Sequence, residues 1–297
     1  MTTISKLRDR MDAGRLARHL ALLVAVLCLW EAVTRLGIVD ALILPAPTAI
    51  VAAFWSIAVV DGIIWPHFGI TLYEALVGFV IGSAIGIALA VAAAMSETFR
   101  TYTKPYIVAL QVTPRISLAP IAIAWLGFGV TPNIAIAALL CFFPPFLNTM
   151  VGLMDVDRDL REMFRSLHAT RRQVFTDLML PTAMPYMMAG LKTAMTMALI
   201  GAIVGEFISA SAGLGVLMHR FTFSLNMAGT FAILGALTLM GLILFAVMEW
   251  ADNRLVFWRH DSRMQEITRR LDARAREGAP AMRRRPFAGS LPRSVGN

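Results

Sequence analysis

The sequence predicts an all-α membrane protein with six transmembrane helices. Three observations carry that expectation. Of 297 residues, 58% are hydrophobic and only 15% charged, where a soluble domain carries about 25% charged residues. The mean hydropathy is +0.68. Apolar runs of about 20 residues recur, enough to cross a hydrocarbon core of roughly 30 Å as helices.

Six segments meet that length: 17–36, 71–95, 106–126, 132–152, 185–208 and 230–250. The first follows basic residues, as in a signal peptide, but no small-x-small cleavage site follows. In "AVLC" the bulky Leu27 stands where a lipoprotein signal has a small residue. It is therefore expected to stay as a span. The third segment carries Pro114 and Pro120, which lack backbone N–H donors and are expected to break or kink it where protein or water lines the gap. The run "TAIVAAFWSIAVV" (48–60) is too short to span and reads as an interfacial helix. After Asp252 comes a basic amphipathic stretch, "RLVFWRHDSRMQEITRRLDARAR", followed by a Gly-, Pro- and Arg-rich end with the composition of disorder.

Sidedness follows from the basic residues. Of 27 Lys and Arg, 23 lie in the N-terminal region, the loop with Arg100 and Lys104, the insert 155–181 and the C-terminal tail; the alternate loops hold only Arg220. The positive-inside rule then puts both termini and the insert in the cytoplasm. This pattern also accounts for the net charge of +8 without nucleic-acid binding. The five histidines sit in loops, tails or at span ends, and neither they nor Cys28 and Cys141 have the spacing of an intramembrane protease or a metal site.

The insert "REMFRSLHATRRQVFTDLMLP" (161–181) is the polar exception. Leu160, Met163, Phe164 and Leu167 follow i, i+3, i+4, i+7 and share one helical face, with Arg158, Arg161 and Arg165 on another stripe. Thr170 and Gln173 have the spacing of a capping box that opens a second helix. That helix carries Val174, Phe175, Leu178 and Met179 on one side and is expected to end at Pro181 and Pro185. Amphipathicity alone leaves two roles open, lying in the headgroup layer or receiving a soluble partner.

The same residues resemble the cytoplasmic signature of the permease subunits of binding-protein-dependent ABC importers, Glu-Ala-Ala-x3-Gly-x9-Ile-x-Leu-Pro. The spacing is kept as Glu162, His168, Leu178 and Leu180-Pro181, with Met163 and Phe164 for the alanines and His168 for the glycine. A glycine there implies a backbone with positive φ, which histidine tolerates less well. "LILPAPTAIV", "HFGITLYEALVGFVIGSAIGIALA" (67–90), "TPRISLAPIAIAWLGFG" (113–129) and "LPTAMPYMMAGLKTAMTMALIGAIVGEF" (180–207) are similar to the nitrate, sulfonate and taurine branch. The resemblance runs over about residues 40–255.

It implies a type I ABC importer transmembrane domain over 67–251, between a tail (1–16), a first span (17–36), an outer loop (37–66) and a basic tail (252–297). The coupling loop 155–181, with Glu162, Met163, Phe164, Leu167, His168, Thr170, Leu178, Leu180 and Pro181, would dock on a cytoplasmic ATPase dimer. A permease homodimer and an extracytoplasmic solute-binding protein would complete the assembly in the bacterial cytoplasmic membrane. The three lysines follow Ser5, Thr103 and Leu191, so no phosphate-binding Gly-Lys-Ser/Thr loop exists here. The chain is expected to hold no ATP and no other cofactor.

Ionisable residues inside spans are costly and so are candidates for function. Arg115, flanked by Pro114 and Pro120, could attract an anion, snorkel or pair with a carboxylate. Glu206 could line the translocation path or gate, or meet water or Arg220 at a helix end. Glu74, Lys192 and Glu31 are read as span-end residues, and Gly78, Gly82 and Gly86 as a close-packing stripe. An ion-coupled secondary transporter using Arg115 and Glu206 is the alternative, though no duplicated halves are visible.

Overall fold

Long apolar helices form the frame of the computed structural model, which describes residues 2–209 and 211–257, with side chains from Arg18 onward except Lys104 and Leu110. Two units are distinguished, Met1–Leu255 and Val256–Asn297, and every described helix belongs to the first. Most of the basic tail, including the amphipathic stretch expected there, lies outside the described residues.

The described residues run through twelve α-helices: α1 (Thr2–Arg35), α2 (Pro47–Trp55), α3 (Ile64–Met95), α4 (Glu97–Val112), α5 (Ala119–Leu126), α6 (Val130–Cys141), α7 (Phe143–Met154), α8 (Arg158–Ser166), α9 (Arg171–Gln173), α10 (Leu180–Ser209), α11 (Leu214–Phe223) and α12 (Met227–Leu255). Among the described residues, four helical stretches are long and apolar enough to cross a membrane: Ile64–Met95, Val130–Met154, Arg171–Ser209 and Met227–Leu255. They contain the predicted second, fourth, fifth and sixth spans. The first falls in α1 and the third in α4 and α5.

The third span is not one helix. Its prolines act as expected: α4 stops at Val112, Thr113 and Pro114 are extended, and a 3-10 turn over Arg115–Leu118 leads into α5. Pro120 lies in the first turn of α5, where a missing N–H costs nothing. Pro144 and Pro145 likewise open α7 after α6.

The core is α6 and α7 held between α3 and α10. Small residues let these backbones touch. A Cβ on Gly78 would come 2.5 Å from Ala137 Cβ, and one on Gly86 would come 2.5 Å from Phe142 O. From the other side, a Cβ on Gly201 would lie 2.6 Å from Ala137 Cα. The expected glycine stripe of α3 is thus half of a two-sided clamp on α6, in a medium where close packing replaces the hydrophobic drive between helices.

α2 continues into a π turn, Ser56–Val60, and packs on α12. Glu31 ties the end of α1 to it, accepting from Arg35 Nε at 2.6 Å, Thr48 Oγ1 at 2.7 Å and the Thr48 backbone N–H at 3.1 Å. Lys192 joins α10 to the end of α12 through Glu249 at 2.5 Å and Asp252 at 2.7 Å.

Candidate coupling loop and membrane pathway

Residues 155–181 form a helix, a turn and the start of a long helix. Asp157 caps α8 by accepting the Asp159 N–H at 2.8 Å. The helix closes in a Schellman motif: the Ala169 N–H reaches Phe164 O at 3.0 Å and the His168 N–H reaches Arg165 O at 2.9 Å. His168 has φ +54°, the left-handed conformation a glycine adopts freely and histidine at some cost. Thr170 then opens the next helix with the expected capping box, its N–H donating to Gln173 Oε1 at 2.8 Å and its Oγ1 accepting the Gln173 N–H at 3.3 Å.

The expected stop at Pro181 and Pro185 is corrected by the structure. The helix runs unbroken from Arg171 to Ser209, with both prolines inside it. A π turn over Val174–Met179 stands just before Pro181. Its wider ring relieves the clash of the proline with the preceding turn.

The loop turns its apolar face outward. Leu160 is 43% exposed, Met163 48% and Leu167 72%. Glu162, His168 and Thr170 are exposed as well, Phe164, Leu180 and Pro181 are partly covered, and Leu178 is buried. Tyr186 Oη, on α10, donates to Asp155 Oδ2 at 2.5 Å and fastens the loop's entry to the bundle.

At the far end of α10, Glu206 does not meet Arg220, and it is only 2% exposed within the chain. It accepts from Thr71 Oγ1 at 2.6 Å and from the Gly215 N–H at 2.5 Å. Arg220 instead donates to Ser211 O at 3.2 Å. Glu74 is not a span-end residue either. It sits fully buried three turns into α3, accepting from Asn133 Nδ2 at 2.9 Å, while Ser209 Oγ donates to Asn133 Oδ1 at 2.8 Å. The Leu214 N–H donates to Thr71 Oγ1 at 2.8 Å and the Gly213 N–H to His67 Nδ1 at 2.9 Å. These bonds knot α3, α6, α10 and α11 together. Sequence reasoning missed Thr71, Asn133 and Ser209, whose polarity is ordinary until packing brings them together.

Arg115 is half-buried, with Cζ 4.5 Å from the centre of the Phe143 ring. Among the described residues it has no carboxylate within ion-pair distance, and Pro114 and Pro120 beside it are exposed.

Comparison with known proteins now decides the family. Residues 82–257, more than half of the chain, match the binding-protein-dependent transport system inner membrane component. The chain belongs to that family. It is an ABC importer permease and a multi-pass membrane protein. The formylaminopyrimidine transport permease protein ThiX of Halalkalibacterium halodurans is 33% identical over 234 residues, covering 79% of this permease and 92% of ThiX. SsuC of Escherichia coli, provisionally named an aliphatic sulfonates transport permease protein, is 37% identical over 194 residues, covering 65% of this permease and 73% of SsuC. A chain from the crystal structure of an amino acid ABC transporter with histidines superposes with a TM-score of 0.57 at 18% identity, over 68% of this permease and 98% of that chain. That last likeness speaks to the fold, a type I importer transmembrane domain.

Proposed function

We propose that this permease carries a small anionic or polar organic solute across the bacterial cytoplasmic membrane, driven by ATP hydrolysed on a separate subunit. Residues 155–181 dock in a cleft of a cytoplasmic ATPase dimer. The permease pairs with a second copy of itself, and an extracytoplasmic binding protein hands it the solute. The chain itself holds no nucleotide and no cofactor. The names of the relatives, a formylaminopyrimidine permease and an aliphatic sulfonates permease, bracket the solute class, and the cation of Arg115 beside the broken third span favours an anion.

The observation that carries the docking role is the outward apolar face of α8. An amphipathic helix normally buries such a face, yet Leu160, Met163 and Leu167 stay uncovered, on a helix that also carries Arg158, Arg161 and Arg165. An uncovered apolar patch rimmed by polar residues is the kind of surface that marks a contact with another protein.

The test is capture of the ATPase encoded beside the permease gene. Leu160→Asp, Met163→Asp and Leu167→Asp together abolish its co-purification while the permease unfolds at an unchanged temperature. Full capture by that variant overturns the docking role.

A further inference from the structure

Two carboxyl groups meet in the polar layer between α3, α6 and α10, and no cation meets them. Glu74 is fully buried and Glu206 nearly so. Thr71, one turn before Glu74 on the same face of α3, donates to Glu206 Oε1 at 2.6 Å. Ser209, one turn beyond Glu206 on α10, is joined through Asn133 to Glu74. The two carboxyls are hydrogen-bonding neighbours. Among the described residues neither has a basic side chain within ion-pair distance. The other titratable groups on these helices are engaged elsewhere. His67 of α3 accepts the Gly213 N–H, and Cys141 of α6 donates to Gly78 O at 3.3 Å. Lys192 of α10 is held by Glu249 and Asp252 of α12. On α11, Arg220 donates to Ser211 O and His219 lies against Phe207 and Phe223. Neither α6 nor α7 carries a charged residue.

Two uncompensated negative charges side by side in a protein interior are prohibitive. The donors around them are unequal. Both oxygens of Glu206 accept, from Thr71 Oγ1 and the Gly215 N–H. Glu74 accepts only at Oε1, from Asn133, and its Oε2 is buried with no donor beside it. A facing carboxylate supplies no donor, whereas a carboxylic acid donates to one. The packing is too tight for a metal ion: a Cβ added at Gly205 would come 2.6 Å from Asn133 Oδ1, and one at Gly213 would come 2.2 Å from Glu206 Cδ. We propose that the pair is a proton-binding site, in which Glu74 is a carboxylic acid whose Oε2–H donates to the Glu206 carboxylate. In the unfolded chain both carboxyls are ionised at neutral pH, so the folded protein holds one proton more. Its stability then falls as pH rises above neutral, by up to about tenfold in the folded-to-unfolded ratio per pH unit. The same proton is given up if α3 and α10 part and water reaches the pair, which ties the packed arrangement of these helices to pH. The site uses none of the residues assigned to ATPase docking.

The experiment is infrared spectroscopy of the purified full chain in detergent at neutral pH, paired with thermal unfolding across pH. The wild type shows the carbonyl stretch of a buried protonated carboxyl group, and Glu74→Gln abolishes it. The amide N–H of that variant donates where the acid O–H did, so it unfolds at the wild-type temperature at neutral pH. At alkaline pH it keeps that temperature while the wild type loses stability. Glu74→Ala loses both the band and stability. Glu97→Gln, at an exposed side chain, leaves the band in place. Four results overturn the proposal: no protonated-carboxyl band in the wild type, a band that survives Glu74→Gln, a Glu74→Gln variant that fails to fold or loses as much stability as Glu74→Ala, or the same pH profile of unfolding in Glu74→Gln and the wild type. A metal ion held by the pair would leave no protonated carboxyl and gives the first of these.

Discussion

The two ends of α10 handle charge in opposite ways. At one end Glu206 is sealed in, each carboxylate oxygen matched to a donor, and Asn133 and Ser209 complete a network with Glu74. At the other, the arginines of the coupling loop stand in the open beside uncovered leucines and a methionine. Buried polar groups are costly unless matched, so the paired oxygens of Glu206 hold one arrangement, while Glu74 Oε2 has no hydrogen-bond donor beside it among the described residues. Exposed charge and apolar surface contribute little to the fold until something covers them. The contrast separates a closed polar knot from an uncovered amphipathic surface.

The strongest challenge to that contrast is Glu206→Ala. It strands the buried Gly215 N–H and leaves the Thr71 hydroxyl only the longer bond to His67 O at 3.2 Å, and the expected loss is about 2 kcal/mol, read as thermal unfolding in detergent. A variant as stable as the wild type would show that the knot holds nothing. Thr170→Ala, in the loop, removes one capping bond from exposed backbone and costs about 1 kcal/mol by the same measurement. A loss as large as that at Glu206 would erase the distinction between the two ends. His168→Gly sharpens it further: relieving the left-handed histidine raises stability by about 0.5 kcal/mol. A drop in stability would mean that the imidazole makes a contact outweighing its backbone cost.

Local chemistry was legible in the sequence, and long-range chemistry was not. The capping box at Thr170, the positive φ implied at His168 and the break at Pro114 each depend on a few neighbouring residues, and each is found where the pattern puts it. Glu74 was misplaced because hydropathy locates a span only to within a turn or more, and α3 begins at Ile64, well before the apolar run suggested. The Glu74–Asn133–Ser209 chain joins residues 59 and 76 positions apart, a separation no local pattern encodes. Pro181 misled for a different reason. Its steric rule is correct, but a single widened turn satisfies it without ending the helix.

That widened turn has a mechanical consequence. Because it lets Arg171–Ser209 continue as one rod of 39 residues, about 58 Å long at 1.5 Å per residue, the proposed docking of its loop end would act on the far end of the same helix. The π turn over Val174–Met179 is thus what keeps the shaft whole past Pro181.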